Sequence, residues 1–191
     1  MFSQFKIFNT KKSITKAIFF LPLICFLFTQ YNPNPLKALE FQWNPENNYK
    51  KLRWHQKQSK KRSRNTIFFF LRPSDRQTGL LKINLKLPEK FKKVVNPEKV
   101  SLCKVSIGGF EGRTKCIEKI NADIGFSEDK TKLDIFPLKA IPSSEDSYAV
   151  VLKVVNPQGA GLYQFHSFGQ SSGKVPVSYY IGSWTIKIDQ Q

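Results

Sequence analysis

From residue 66 onward, apolar and polar residues alternate in short runs separated by turn-forming clusters. In LLKINLKL (residues 80–87), Leu81, Ile83, Leu85 and Leu87 fall on one side of an extended chain, and Lys82, Asn84 and Lys86 on the other. A period of two marks a sheet with one dry face and one wet face. Seven more runs read the same way: TIFFFLR (66–72), VSLCKVSI (100–107), TKCIEKI (114–120), KLDIF (132–136), SYAVVLKVV (147–155), LYQFHSF (162–168) and YYIGSWTIKI (179–188). Clusters such as RPSDRQTG, GGFEG, PSSED and NPQGAG punctuate them with residues that bend the chain. No dozen-residue stretch keeps an apolar stripe at helical spacing. The pattern predicts an all-β fold, an antiparallel β-sandwich, immunoglobulin-like or similar, with about eight strands in a single domain over residues 66–191. The bulky residues Phe68, Phe70, Tyr163, Phe165, Phe168, Tyr179, Tyr180 and Trp184 are expected mostly as filling between the sheets.

The front of the chain follows a different pattern. Lys6, Lys11, Lys12 and Lys16 precede an uninterrupted apolar run, AIFFLPLICFLFT (17–29), with no acidic residue before it. As helix, those thirteen residues would span only about 20 Å of a hydrocarbon core of about 30 Å. A basic start with a short apolar core describes a secretory signal, here residues 1–38 with cleavage after Ala38. Cys25 is preceded by Ile24 rather than a small residue, which disfavours a lipidated cysteine.

Charge then sharpens the picture. The chain carries 31 basic and 14 acidic residues. Loss of residues 1–38 removes five lysines and no acid, which leaves +12, and eight of those charges lie in KKLRWHQKQSKKRSR (50–64). The rest of the domain is ordinary for a soluble protein at about +4.

Cysteine usage points to an oxidising compartment. Cys103 and Cys116 remain as one pair, and an even number in an exported chain argues for a disulfide. Folding residues 100–120 as a hairpin about GGFEG places Cys103 directly opposite Cys116, at the spacing a disulfide requires.

Candidate chemistry is sparse. GQSSG (169–173) matches the G-x-S-x-G pattern of hydrolase nucleophiles, with Ser171 at its centre and His166 as the nearest base. That motif works on a strand-to-helix turn, whereas KVPVSYY follows here, so a loop between strands is the stronger reading. The two histidines, His55 and His166, and the carboxylates Asp123, Glu128, Asp129, Glu145 and Asp146 show no metal-ligand spacing. No cofactor and no catalytic residue are expected.

Residues 147–188 and LKINLKLPEKF (81–91) carry a family resemblance. Asn156-Pro157, then Gly161, Tyr163 and Phe165, then a glycine-bearing loop and a last strand entered through Ile181-Gly182, resemble an exported cyanobacterial family known as domain of unknown function 2808. The resemblance covers residues 66–188, and it implies export and an all-β domain but no activity. Two departures stand out: the charge of residues 50–64, and Gly182-Ser183-Trp184 where the family has a glycine-arginine pairing. In physical terms Asn156-Pro157 ends a strand, Gly159 to Gly161 let the chain change sheets, and Tyr163 is placed to bond its hydroxyl back to local backbone as a tyrosine corner.

Three readings compete for Lys50, Lys51, Arg53, Lys57, Lys60, Lys61, Arg62 and Arg64. They form a solvated, flexible lead-in over residues 39–65, or a contact for an anionic membrane or glycan surface, or a nucleic-acid contact. Export disfavours the last. The expectation is a non-catalytic, exported or envelope-associated structural or binding module of the periplasm, envelope or an equivalent lumen. A hydrolase using Ser171 and His166 is the alternative.

Overall fold

The computed structural model describes residues 49–109, 112–173 and 175–190, and in them the alternation becomes ten strands in two antiparallel five-stranded sheets. The expected signal segment, residues 1–38, and the first part of the expected lead-in, residues 39–48, lie outside the described residues. Sheet I has the order β1 (Trp54–Gln56), β2 (Arg64–Leu71), β8 (Tyr148–Val155), β4 (Val100–Ser106), β5 (Lys115–Ile120). Sheet II has the order β10 (Ser178–Ile188), β9 (Gly161–Ser171), β3 (Leu80–Lys86), β7 (Lys132–Pro137), β6 (Ala122–Phe126). The single α-helix among the described residues, α1 (Glu89–Lys92), is one turn long. All eight strands expected from the alternation are present. The two that escaped it are three-residue β1, hidden in the charged stretch, and β6, whose sequence ADIGF is short and interrupted by Gly125.

Parity builds the core. On β2, Ile67, Phe69 and Leu71 face sheet II, and the Phe69 ring lies 4.7 Å from that of Phe165 and 4.8 Å from that of Trp184, centre to centre. Trp184 also donates its indole N–H to the Phe70 carbonyl at 3.2 Å, so the largest core side chain leaves no buried donor unpaired.

One strand departs from the expected parity. Leu81 is exposed and Leu80 takes its core place, because a bulge on β3 pairs Leu80 with Ser171 and Lys82 with Gln170, which leaves Leu81 unmatched.

Phe68 and Phe70 point the other way. They form a second apolar cluster on the outer face of sheet I with Cys103, Val105, Ala149 and Val151, and His55 of β1 lies over Phe68. Gly108, Gly109 and Gly112, from the β4–β5 connection, line a 620 Å³ cavity together with His55 and Lys57. The described residues of the connection therefore share this cavity with β1, the strand at the opposite edge of sheet I.

Cys103 and Cys116 are joined by a disulfide with a Cα–Cα distance of 5.7 Å. They are not directly opposite, which corrects the expected register: Cys103 pairs with Lys119 and Cys116 with Val105. A bulge between Lys104 and Val105 brings the diagonal pair within reach.

The chain changes sheets between β8 and β9, at the Asn156-Pro157 segment. Tyr163 donates its hydroxyl proton to the Gly159 carbonyl at 2.6 Å, which closes the expected tyrosine corner, and its ring packs edge-on against Phe91 of α1. Burial raises the Tyr163 hydroxyl pKa.

Candidate anion-binding surface

Residues 50–64 are not a flexible lead-in. Leu52 is 5% exposed and belongs to the main core, and Leu52 N–H donates to the Ser183 carbonyl while Ser183 N–H donates to the Lys50 carbonyl, both at 2.8 Å. Gly182 makes this docking possible. Its φ of +154° suits glycine, and a Cβ there would stand 2.6 Å from the Leu52 side chain and 2.8 Å from the Lys50 carbonyl. The segment then runs through β1, which pairs antiparallel with β2, and the domain boundary expected at residue 66 moves to the start of the described chain.

The turn between β1 and β2 is held from below by Asn156. That side chain is 2% exposed, and its amide donates to the carbonyls of Gln58 at 3.1 Å and Lys60 at 2.8 Å. Its oxygen accepts from the Asn65 amide at 3.0 Å. Backbone bonds complete the clamp: Arg62 N–H to the Asn156 carbonyl at 3.1 Å, and Asn156 N–H to the Ser63 carbonyl at 2.9 Å. On the other side, Lys60 bridges to Asp189 at the end of β10. Arg62 sits at φ 57°, a left-handed conformation disfavoured for any residue with a Cβ, and these bonds maintain it. A buried asparagine whose side chain satisfies three groups is expensive to lose, since each orphaned group carries its own desolvation penalty.

The cations of this segment are thus presented from a rigid base. Lys50, Lys51, Arg53, Lys57, Lys60, Arg62 and Arg64 are exposed, and Lys61 is half-buried. Lys50 is partly spent on the fold, donating to the carbonyls of Ser74 and Asp75.

Two cations that sequence reasoning missed join them. Lys57 and Arg64 border a groove of about 530 Å³ at the β2–β8 end of sheet I, and Lys99 and Lys153 border it from the 3-10 turn before β4 and from β8. The link is tertiary: Lys57 N–H bonds the Thr66 carbonyl at 3.1 Å, and Thr66 pairs with Lys153. The outward parity of Lys153 in SYAVVLKVV was readable, but its neighbourhood depends on β8 lying beside β2.

Ser171 and His166 do not converge. They lie five positions apart on β9, so alternation sends them to opposite faces, and the Ser171 hydroxyl is engaged with Val175 and Val177 of its own loop. His166 meets Ser183 instead, Nδ1 to Oγ at 2.7 Å, and the same hydroxyl meets Tyr180 Oη at 2.6 Å. Ser183 is 3% exposed, so this group knits β9 to β10 beneath Tyr49 and does not present a nucleophile. Burial, and secondarily the Lys86 ammonium, hold the His166 imidazole below its usual pKa. Among the described residues no three His, Cys, Asp or Glu side chains cluster as a metal site would require.

Comparison with known proteins adds a family and a set of similar shapes. The profile of a family described as "Protein of unknown function (DUF2808)" matches residues 41–188, beginning ahead of the basic segment. No curated protein sequence matches the chain. Similar solved structures include BslA, a bacterial hydrophobin, at 14% identity over 75% of this chain and 97% of that one, with a TM-score of 0.47. The collagen-binding domain of a Staphylococcus aureus adhesin shows 13% identity over 66% and 87%, with a TM-score of 0.36. The human F-spondin reeler domain shows 12% identity over 74% and 91%, with a TM-score of 0.37.

Proposed function

The chain belongs to the DUF2808 family of proteins of unknown function, and from that premise we propose that it is a non-catalytic, exported module whose basic turn holds it against an anionic surface of the cell envelope. The observation that carries the reading is the Asn156 clamp. A charged segment that merely needed to remain soluble would gain nothing from a buried asparagine, a core leucine and a glycine shaped to admit it, whereas a binding surface gains from being held in place before contact. Export is supported by the basic-then-apolar start of the sequence and by the disulfide, a bond that persists in oxidising compartments.

An anionic layer attracts about 1 kcal/mol per nearby Lys or Arg, so three or four cations on one turn suffice for salt-sensitive attachment. The test compares retention of the protein on anionic and neutral vesicles and on acidic and neutral polysaccharide beads. The triple variant K60A/K61A/R62A should lose most of its retention on the anionic vesicles. Asn156→Ala, which leaves every charge in place, should weaken retention several-fold and lower stability by about 2 kcal/mol through lost buried hydrogen bonds. Equal retention of wild type on charged and neutral supports would end the proposal.

A further inference from the structure

We propose that the groove bordered by Lys57, Arg64, Lys99 and Lys153 is a discrete binding site for a segment of acidic polysaccharide. This deepens the anionic-surface reading and rests on it. Four observations carry the inference, and the first is convergence. The four cations come from three separate stretches of chain, two of them far from the basic segment, and surround one concavity of about 530 Å³, within the roughly 300–1,000 Å³ usual for ligand sites.

The second is the missing counter-charge. No carboxylate lines the groove, and none of the four cations makes an ion pair among the described residues. Elsewhere Arg72, Lys82, Lys92, Lys104 and Lys187 are each paired with an acid. Glu98 neighbours Lys99 in the 3-10 turn but does not line the cavity.

The third is the row. Lys57 and Lys153 flank Thr66 on neighbouring strands, two strand spacings or about 10 Å apart, close enough for a weak mutual repulsion that an arriving anion would reverse.

The fourth is shape and lining. A flat layer of headgroups cannot fill a concavity at the end of a sheet, but a chain can lie in it. Besides the cations the groove offers the Thr66 hydroxyl, the Asn96 amide N–H group, whose oxygen is already engaged with Glu98 N–H, and the exposed methyl groups of Val155. Charged groups for carboxylate or sulfate, neutral groups for ring hydroxyls and an apolar wall for sugar C–H faces are what an acidic sugar requires.

The experiment measures calorimetric binding of the full chain to polygalacturonate and heparin oligomers, with dextran as the neutral control. The double variant K99A/K153A should weaken binding to the acidic oligomers at least tenfold. K86A/K139A, which removes the same charge elsewhere, should change it less than twofold, and so should K60A/K61A/R62A. Thermal unfolding checks that each variant is folded.

Equal loss with K86A/K139A would reduce the site to net charge and overturn the proposal. Binding unaffected by K99A/K153A would overturn it as well, as would tighter binding to a single-stranded oligonucleotide or to anionic vesicles than to the acidic oligomers. The surface reading fails separately, through retention that survives in K60A/K61A/R62A, so each can fall without the other.

Discussion

The two outward faces of the sandwich distribute charge differently. On sheet II several outward polar residues are matched to one another, although Lys86 stands directly across from Lys132 with no acid between them. Lys82 bonds Asp134 at 2.9 Å and lies over the Phe136 ring, Asn84 bonds the same carboxylate, and His166, Ser183 and Tyr180 share hydrogen bonds. On sheet I one half of the face is apolar and roofed by a connection that the disulfide ties down, while the other half gathers cations with no acid among them. The proposed anion site rests on that second half of sheet I, where four cations border one groove that no acid lines.

The roofed half gives the largest expected effect. Replacing Cys103 and Cys116 by alanine frees the roof over Phe68 and Phe70 and should lower unfolding stability by about 3 kcal/mol, the chain-entropy value for a loop of this length. Denaturant titration of the variant would measure it. A loss under about 1 kcal/mol would mean that the roof stands without its tie.

A matched pair of substitutions tests the charge contrast directly. Lys82→Gln on sheet II should cost about 0.5–1 kcal/mol, because it breaks a partly buried ion pair and a cation–ring contact. Lys153→Gln on sheet I should instead raise stability by a few tenths, about 0.3 kcal/mol, since it relieves repulsion within the cationic row. Both effects should shrink in high salt. If both variants lose stability equally, the two faces are not electrostatically different.

The smallest effect is in pH. Because the folded pKa of His166 lies below its unfolded value of about 6.5, the unfolded chain takes up the proton first as the solution is acidified. Stability should therefore be unaffected by this group above that value and decline as pH falls through it. His166→Gln should flatten the slope between about pH 7 and 5. An unchanged slope in thermal unfolding would show that the histidine cluster does not respond as its burial implies.

The strands were largely legible because alternation is local: eight of the runs that read as period two are strands, and Tyr163 closes its corner four residues from Gly159. Residues 50–64 were misread for the opposite reason. Eight cations in fifteen positions dominate the local pattern and hide Leu52 and Asn65, whose partners Ser183 and Asn156 lie 131 and 91 positions away. Leu81 was misassigned and the cysteine register displaced because a bulge shifts parity by one residue and leaves no mark in a hydrophobic pattern.

By itself the amino-acid sequence determined that this chain makes a two-layer β fold, that it crosses between layers at Asn156-Pro157, and that its two later cysteines meet. Each of these follows from the stereochemistry of an extended chain and from residues close together along it. Only the tertiary structure decided that the basic segment is part of the sandwich and that Lys57, Arg64, Lys99 and Lys153 share one groove. That outcome depends on which strands lie side by side, and the order β2-β8-β4 is set by how the whole core packs, a sum over distant contacts that no local stretch encodes.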